Sequence, residues 1–300
     1  MAWTRLRLTL DMIKFEHSIF ALPFALTGAL LAWRDLALHP ASTVMSTPFP
    51  LKLIWIIAAM VCARSAAMGF NRIADASIDA RNPRTRMRHL PAGLLGRGFA
   101  WGFVIAASAL FIAAASQLNR LCLELSPLAL AILLFYSYTK RFTSFSHVVL
   151  GFCLGIAPAA AWIAVRGTFD PRILWLTAAV TCWTAGFDII YSCQDYEFDC
   201  QEALFSIPRR LGIAAALRVA QALHAAMVIC LLALVRTLHL GPLALAGVAA
   251  IAGLLIYEHR LVKPDDLSKV NAAFFTMNGY VSMLFFVFWA ADVLLLKSGI

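Results

Sequence analysis

Asn71, Asp75 and Asp79 recur every four residues at the start of NRIADASIDARNPRTRMR, residues 71–88. On a helix that spacing lines three oxygen-bearing side chains along one face. Arg81, Arg84, Arg86 and Arg88 follow in the same stretch. A second acidic segment, DIIYSCQDYEFD at 188–199, places Asp188, Asp195 and Asp199 at i, i+7 and i+11, again one face of a regular helix. Carboxylates so spaced repel one another, and more so beside a membrane. Salt bridges to the nearby arginines are one way to offset the repulsion. A hard cation is the other. Mg²⁺ takes oxygen ligands and leaves coordination positions for water or phosphate. Two such stripes, facing carboxylates with an amide, favour the cation.

The basic residues extend that chemistry. Arg72, Arg84, Arg88, Lys140 and Arg209 are candidate phosphate contacts, Arg84, Arg88 and Lys140 foremost, whereas Arg81, Arg86 and Arg141 read as membrane-surface anchors. Acid and base together describe a Mg²⁺–diphosphate site, and a diphosphate is also a leaving group whose growing charge such a site stabilises. If the departing group is allylic, a carbocation remains. It needs a dry site and is stabilised by carboxylates and aromatic faces. Tyr136, Tyr138 and Tyr191 are the aromatic candidates, each with an alternative role as an interfacial tyrosine. Tyr191 falls between Asp188 and Asp195.

The elements that must carry these residues are membrane helices. Of 300 residues, 62% are hydrophobic and 14% charged, against about 25% charged in a soluble domain. Nine apolar stretches are long enough to cross a bilayer: 17–34, 51–70, 98–117, 121–139, 146–165, 172–191, 213–235, 240–257 and 272–296. The alternating segments of a β-barrel are missing. The expected fold is therefore all-α and polytopic, a single domain over 1–300. The start, MAWTRLRLTLDMIKFEH, lacks the features of a signal peptide, so the first apolar run is expected to stay as span 1. Lys and Arg concentrate at the N-terminus and in loops 2–3, 4–5, 6–7 and 8–9, which puts these on the cytoplasmic side of a bacterial inner membrane. No nucleic-acid motif accompanies the net charge of +9, which anionic lipid alone can explain. The seven cysteines form no CxxC or zinc-type spacing.

Arg64 lies within span 2, seven residues before Asn71 and on the same helical face. An arginine at that depth is a candidate functional residue. It can bind the carboxylate of an aromatic acid, or pair structurally with Glu124 or Asp188. Asn271 and Asn278, seven apart on span 9, either line the site or hydrogen-bond between helices. Asp265 and Asp266 read as a solvated helix start.

The motif Asn71-x-x-x-Asp75-x-x-x-Asp79 with NPRTRMR resembles the first signature of the UbiA superfamily of intramembrane aromatic prenyltransferases. DIIYSCQDYEFD resembles its second, including the step from Tyr191 to Asp195, and FYSYTKRFTSFSHVVLG at 135–151 resembles its span 4–5 connection. The resemblance covers essentially the whole chain. It implies nine helices around a central cavity with a lateral opening for an isoprenoid tail, Mg²⁺ on Asn71, Asp75, Asp79, Asp195 and Asp199, Asp188 close by, and diphosphate on Arg72, Arg84, Arg88 and Lys140. The loop reads Arg88-His89-Leu90 where the family often has Arg-Pro-Leu. The implied reaction joins a polyprenyl diphosphate to the ring of a phenolic acid. Arg64 agrees with a 4-hydroxybenzoate branch, and the segments at 15–28 and 257–282 resemble a branch of it serving menaquinone synthesis by the futalosine route, whose acceptor is a dihydroxynaphthoate. Alternatives are a prenyltransferase for haem or chlorophyllide, and a cation-coupled transporter.

Overall fold

The computed structural model describes residues 2–14, 18–39 and 47–295. Residues 15–17 of the segment at 15–28, and the end of the span expected to close at 296, lie outside them. The described chain is helical, without strands; a lone bridge pairs Lys263 with Asp266. After a short helix α1 (Ala2–Met12) come α2 (Ser18–Leu38), α3 (Phe49–Arg81), α4 (Arg97–Ser116), α5 (Arg120–Thr139) and α6 (Ser146–Arg166). Then follow α7 (Leu174–Ser192), the short α8 (Tyr196–Gln201) and α9 (Ile207–Leu211), α10 (Ile213–Thr237), α11 (Pro242–Leu261) and α12 (Asn278–Leu295). Among the described residues nine helical stretches are long and apolar enough to cross a membrane, in the places expected. Ile54, Ile105, Leu128 and Ile229 are 59–64% exposed, as suits faces turned to lipid tails. This is a multi-span membrane protein. The chain forms two compact units, residues 1–18 with 50–138, and residues 19–49 with 139–300.

In the first unit, α3 has 33 residues, about 50 Å of continuous helix. Nothing breaks it before Asn82-Pro83. There the Asn82 side chain accepts the Arg84 N–H at 2.9 Å, and proline cannot prolong the helix. The Thr85 hydroxyl then donates to the Asp79 carbonyl at 3.1 Å, satisfying a helix-end acceptor. Span 2 and the first acidic stripe are therefore one rigid rod.

In the second unit α7 packs between α6 and α10. Gly151 and Gly155 of α6 allow that closeness. A Cβ on Gly151 would collide with the Thr181 carbonyl oxygen, and one on Gly155 with Thr181 and the Thr177 carbonyl. Gly151→Ala should therefore lose about 1–3 kcal/mol, since backbone cannot yield as a side-chain tip can. Thermal unfolding in detergent measures this, and an unchanged midpoint would disprove the close seam.

The second acidic segment departs from expectation. It is not one regular helix. After α7 the chain tightens into a 3₁₀ turn, Cys193–Asp195, before α8. The Ser192 hydroxyl and the Cys193 thiol both donate to the Ile189 carbonyl, at 2.8 and 3.4 Å, and the Gln194 amide donates to the Tyr191 carbonyl at 3.1 Å. Side chains thus compete for the carbonyls of the last turn. With 3.0 residues per turn in the 3₁₀ piece, Asp188, Asp195 and Asp199 do not keep the common face that i, i+7 and i+11 imply.

Span 9 departs as well. It opens with a π-helical segment, Ala272–Met277. The Asn278 amide donates to the Phe274 and Ala273 carbonyls, at 3.0 and 3.3 Å. Asn271 is exposed while Asn278 is fully buried. The two asparagines therefore share no face, because the wider turn shifts the register between them.

Candidate active site

In the first unit Asn71, Asp75 and Asp79 are all buried on one side of α3. The Asn71 amide donates to Asp75 Oδ2 at 3.1 Å. Asp79 accepts Arg88 Nη1 on both oxygens, at 2.7 and 2.9 Å. Two residues assigned from sequence to metal and to phosphate thus hold each other. Among the described residues no three His, Cys, Asp or Glu side chains form a group able to hold a metal ion. From Asn71 to Asp79 the helix rises about 12 Å, so the stripe offers hard oxygen donors in a row rather than a closed cage. Oxygens from a ligand would have to complete any Mg²⁺ shell.

Arg72 is buried and donates Nε to the Met12 carbonyl at 3.1 Å, within electrostatic reach of Arg88, Asp79, Tyr136 and Asp75. Arg64 Nη2 donates to the Lys14 carbonyl at 3.0 Å. Both arginines thus fasten the end of α1, where carbonyls lack helical partners and the dipole attracts cations. Met12 and Ile13 are buried against Leu95, with Met68 and Phe103 around them. Asp11 approaches His89 at 3.3 Å. Burial lowers the His89 imidazole from its ordinary value, against the opposing pull of the Asp11 charge. The Lys14 ammonium, bonded at 2.7 Å, holds the Asp11 carboxyl below its usual range. Of the structural partners expected for Arg64, Glu124 accepts Arg120 at 2.7 Å and Asp188 meets His147. Arg84 is exposed on the loop after α3.

In the second unit Asp188 Oδ2 lies 2.7 Å from Nδ1 of a buried His147 at the start of α6. Asp199 is buried and hydrogen-bonded to Ser206, with Asp195, Lys140 and His147 near enough to act on its charge. Ser206 also caps α9, accepting the Arg209 N–H at 3.3 Å. Arg209 Nη1 donates to the Leu204 carbonyl at 2.8 Å and lies over the Phe205 ring. Tyr191 packs on Phe274, ring centroids 4.1 Å apart, and Phe274 meets Phe187 edge-on at 5.3 Å. The structure therefore gathers Asp188, Tyr191, Asp195, Asp199, Lys140 and Arg209 around one end of α7.

The sequence model of the UbiA prenyltransferase family matches residues 21–289. The chain belongs to that family. It is 29% identical to the 4-hydroxybenzoate octaprenyltransferase of Burkholderia mallei over 94% of this chain and 95% of that protein. It is 29% identical to the Vibrio cholerae protein of the same name over 77% of this chain and 81% of that one. Among solved structures it resembles an apo UbiA homolog from Aeropyrum pernix K1, with TM-score 0.81 and 36% identity, covering 92% of this chain and 98% of that one. A UbiA homolog from Archaeoglobus fulgidus bound to GPP and Mg²⁺ shares the fold, with TM-score 0.71 and 21% identity over 95% and 99% of the two chains. Sequence reasoning passed over two residues of this UbiA family member: His147 and Phe274. His147 stood inside the span 4–5 motif, but a lone histidine gives no sign of its partner 41 residues away. Phe274 looked like any apolar residue of span 9.

Proposed function

We propose that the protein transfers a polyprenyl group from a polyprenyl diphosphate to a ring carbon of a phenolic aromatic acid, as a single domain over 1–300 in the bacterial inner membrane with its N-terminus in the cytoplasm. The names of the Burkholderia and Vibrio relatives support 4-hydroxybenzoate as acceptor, and with it a step in quinone biosynthesis. The dihydroxynaphthoate acceptor is the second to test. The observation that carries the proposal is the buried row Asn71, Asp75 and Asp79 with Arg88 on Asp79, in a member of a prenyltransferase family.

The row on α3 suits Mg²⁺: oxygen ligands only, two of them carboxylates, with coordination left for diphosphate. Asn71, Asp75, Asp79, Asp195 and Asp199 would hold it, and when bound it would neutralise charge on the departing diphosphate. Arg84, Arg88, Lys140 and Arg209 bind the diphosphate oxygens. To do so Arg88 must exchange Asp79 for phosphate, so cation and diphosphate favour each other's binding. The allylic C–O bond breaks with its electron pair leaving on the diphosphate, the ring carbon ortho to the phenol bonds to the cation, and the ring proton is lost. Tyr191 and Phe274 offer the cation aromatic faces. Asp188 is a carboxylate near these rings and is the candidate to take the proton. Arg72 serves by holding α1. Arg64, also anchored to α1, is the candidate to meet the acid's carboxylate.

The test is purified protein in detergent with Mg²⁺, a labelled polyprenyl diphosphate and each acid in turn, scored by prenylated product. Uptake of a solute or ion without product would replace the proposal with a transporter. For Arg64 the comparison is 4-hydroxybenzoate against its methyl ester. Wild type should discriminate strongly, while Arg64→Leu should weaken the acid and leave the lipid diphosphate largely unaffected. Equal discrimination in both proteins would assign the carboxylate to another residue.

A further inference from the structure

We infer that His147 is a positioning residue that locks the acidic end of α7 and the arginine-bearing helix α9 into one arrangement, an inference that rests on the prenyl-transfer reading above. His147 is 5% exposed and sits in the first turn of α6. Its Nδ1 lies 2.7 Å from Asp188 Oδ2, and its Nε2 accepts the Ile207 N–H at 3.3 Å. A backbone N–H can only donate, so Nε2 carries a lone pair. A carboxylate accepts, so Nδ1 carries the proton. One neutral tautomer satisfies both contacts. With both ring nitrogens engaged, the imidazole is not the group that takes the acceptor's ring proton. It holds Asp188 Oδ2 and leaves Oδ1 for other work.

The second contact matters as much. Helix α9 has five residues, too few to hold its own place. Besides its packing on α10 and the Ile207 contact with the cluster around Ile190, it is tied to α6 by the Ile207 bond to His147, and the segment before it by the bond from Phe205 N–H to the Lys140 carbonyl, 2.8 Å long. Arg209 lies on α9, and Lys140 is at the other attachment. One imidazole thus links a carboxylate assigned to the carbocation chemistry with the helix that carries Arg209. Small displacements of such groups are costly to catalysis.

The two contacts can be cut separately. In His147→Asn the amide nitrogen falls near the Nδ1 position and keeps the bond to Asp188, but nothing reaches Ile207. In His147→Gln the longer side chain brings its oxygen to the Ile207 N–H and gives up Asp188. The Asn variant should bind farnesyl thiolodiphosphate, a non-reacting allylic diphosphate, about tenfold more weakly and raise KM for the lipid diphosphate alike, with kcat largely kept. The Gln variant should bind the probe like wild type and lose about tenfold or more in kcat. His147→Phe should show both losses. In ¹⁵N-histidine-labelled wild type, His147 should show a protonated Nδ1 and a bare Nε2.

A protonated Nε2, or Asn and Gln variants with the same pattern of losses, would overturn the inference and leave His147 a packing residue. If wild type makes no prenylated acid, the prenyl-transfer reading falls; the nitrogen spectrum and the probe binding still decide the role of His147.

Discussion

Asp75→Ala should cut prenyl transfer by roughly a hundredfold or more, and Asp195→Ala by as much, in protein that remains folded. Asp75 is 2% exposed and accepts the Asn71 amide, so its loss removes a carboxylate from the middle of the α3 stripe. Asp195 closes the 3₁₀ turn beyond α7 and is half-buried, so its loss should disturb packing less. Asp75→Asn is the gentler companion variant, since it keeps size and an oxygen donor while removing charge. It should regain part of its activity as Mg²⁺ is raised, if charge at that position serves the cation. Turnover with a labelled polyprenyl diphosphate is the measurement. Near-normal activity in both alanine variants would remove the acidic stripes from the mechanism.

Arg88→Ala is expected to raise the KM for polyprenyl diphosphate about 10- to 150-fold, the equivalent of the 1.5–3 kcal/mol typical of one charge-assisted contact. The KM for the aromatic acid should move far less. Arg88 presents a sharper choice than the other cations because its partner is visible. Both oxygens of Asp79 lie on its Nη1, with the arginine side chain 29% exposed and the aspartate 6% exposed. A purely structural pair predicts a different outcome. Cutting it would strand a buried carboxylate, lowering the melting temperature without singling out one substrate. Measuring both KM values beside the melting temperature separates the two. A loss confined to the acid would also reject the diphosphate assignment.

Much of the architecture was legible because a membrane span needs length and apolarity, which composition carries directly. The row Asn71, Asp75 and Asp79 was legible for a related reason: α3 is regular through all three positions, so spacing translates into a face. The same arithmetic failed for Asp188, Asp195 and Asp199. Periodicity assumes one helix, and Ser192, Cys193 and Gln194 end it by taking its carbonyls. It failed again for Asn271 and Asn278, whose opposite burial follows from the π-helical turn. Sequence could nominate Arg88 and Asp79 but could not tell that they pair, because the loop between them is shaped by Asn82 and Thr85. Helix α1 went unread. Its end is held by Arg64 and Arg72, far along the chain, which its own eleven residues could not announce.

Counted as chain length rather than as shape, the wide turn at Ala272–Met277 behaves as a surplus residue within a span of 24. One residue turns an α-helix by about 100°. Deleting any single residue there lets the turn close into ordinary helix, and everything on one side must then rotate by that angle against the other. Phe274, which lies against Tyr191, and the apolar face of α12 could not both keep their places. Span 9 should therefore accept exchanges of one apolar residue for another far more readily than any change in its length.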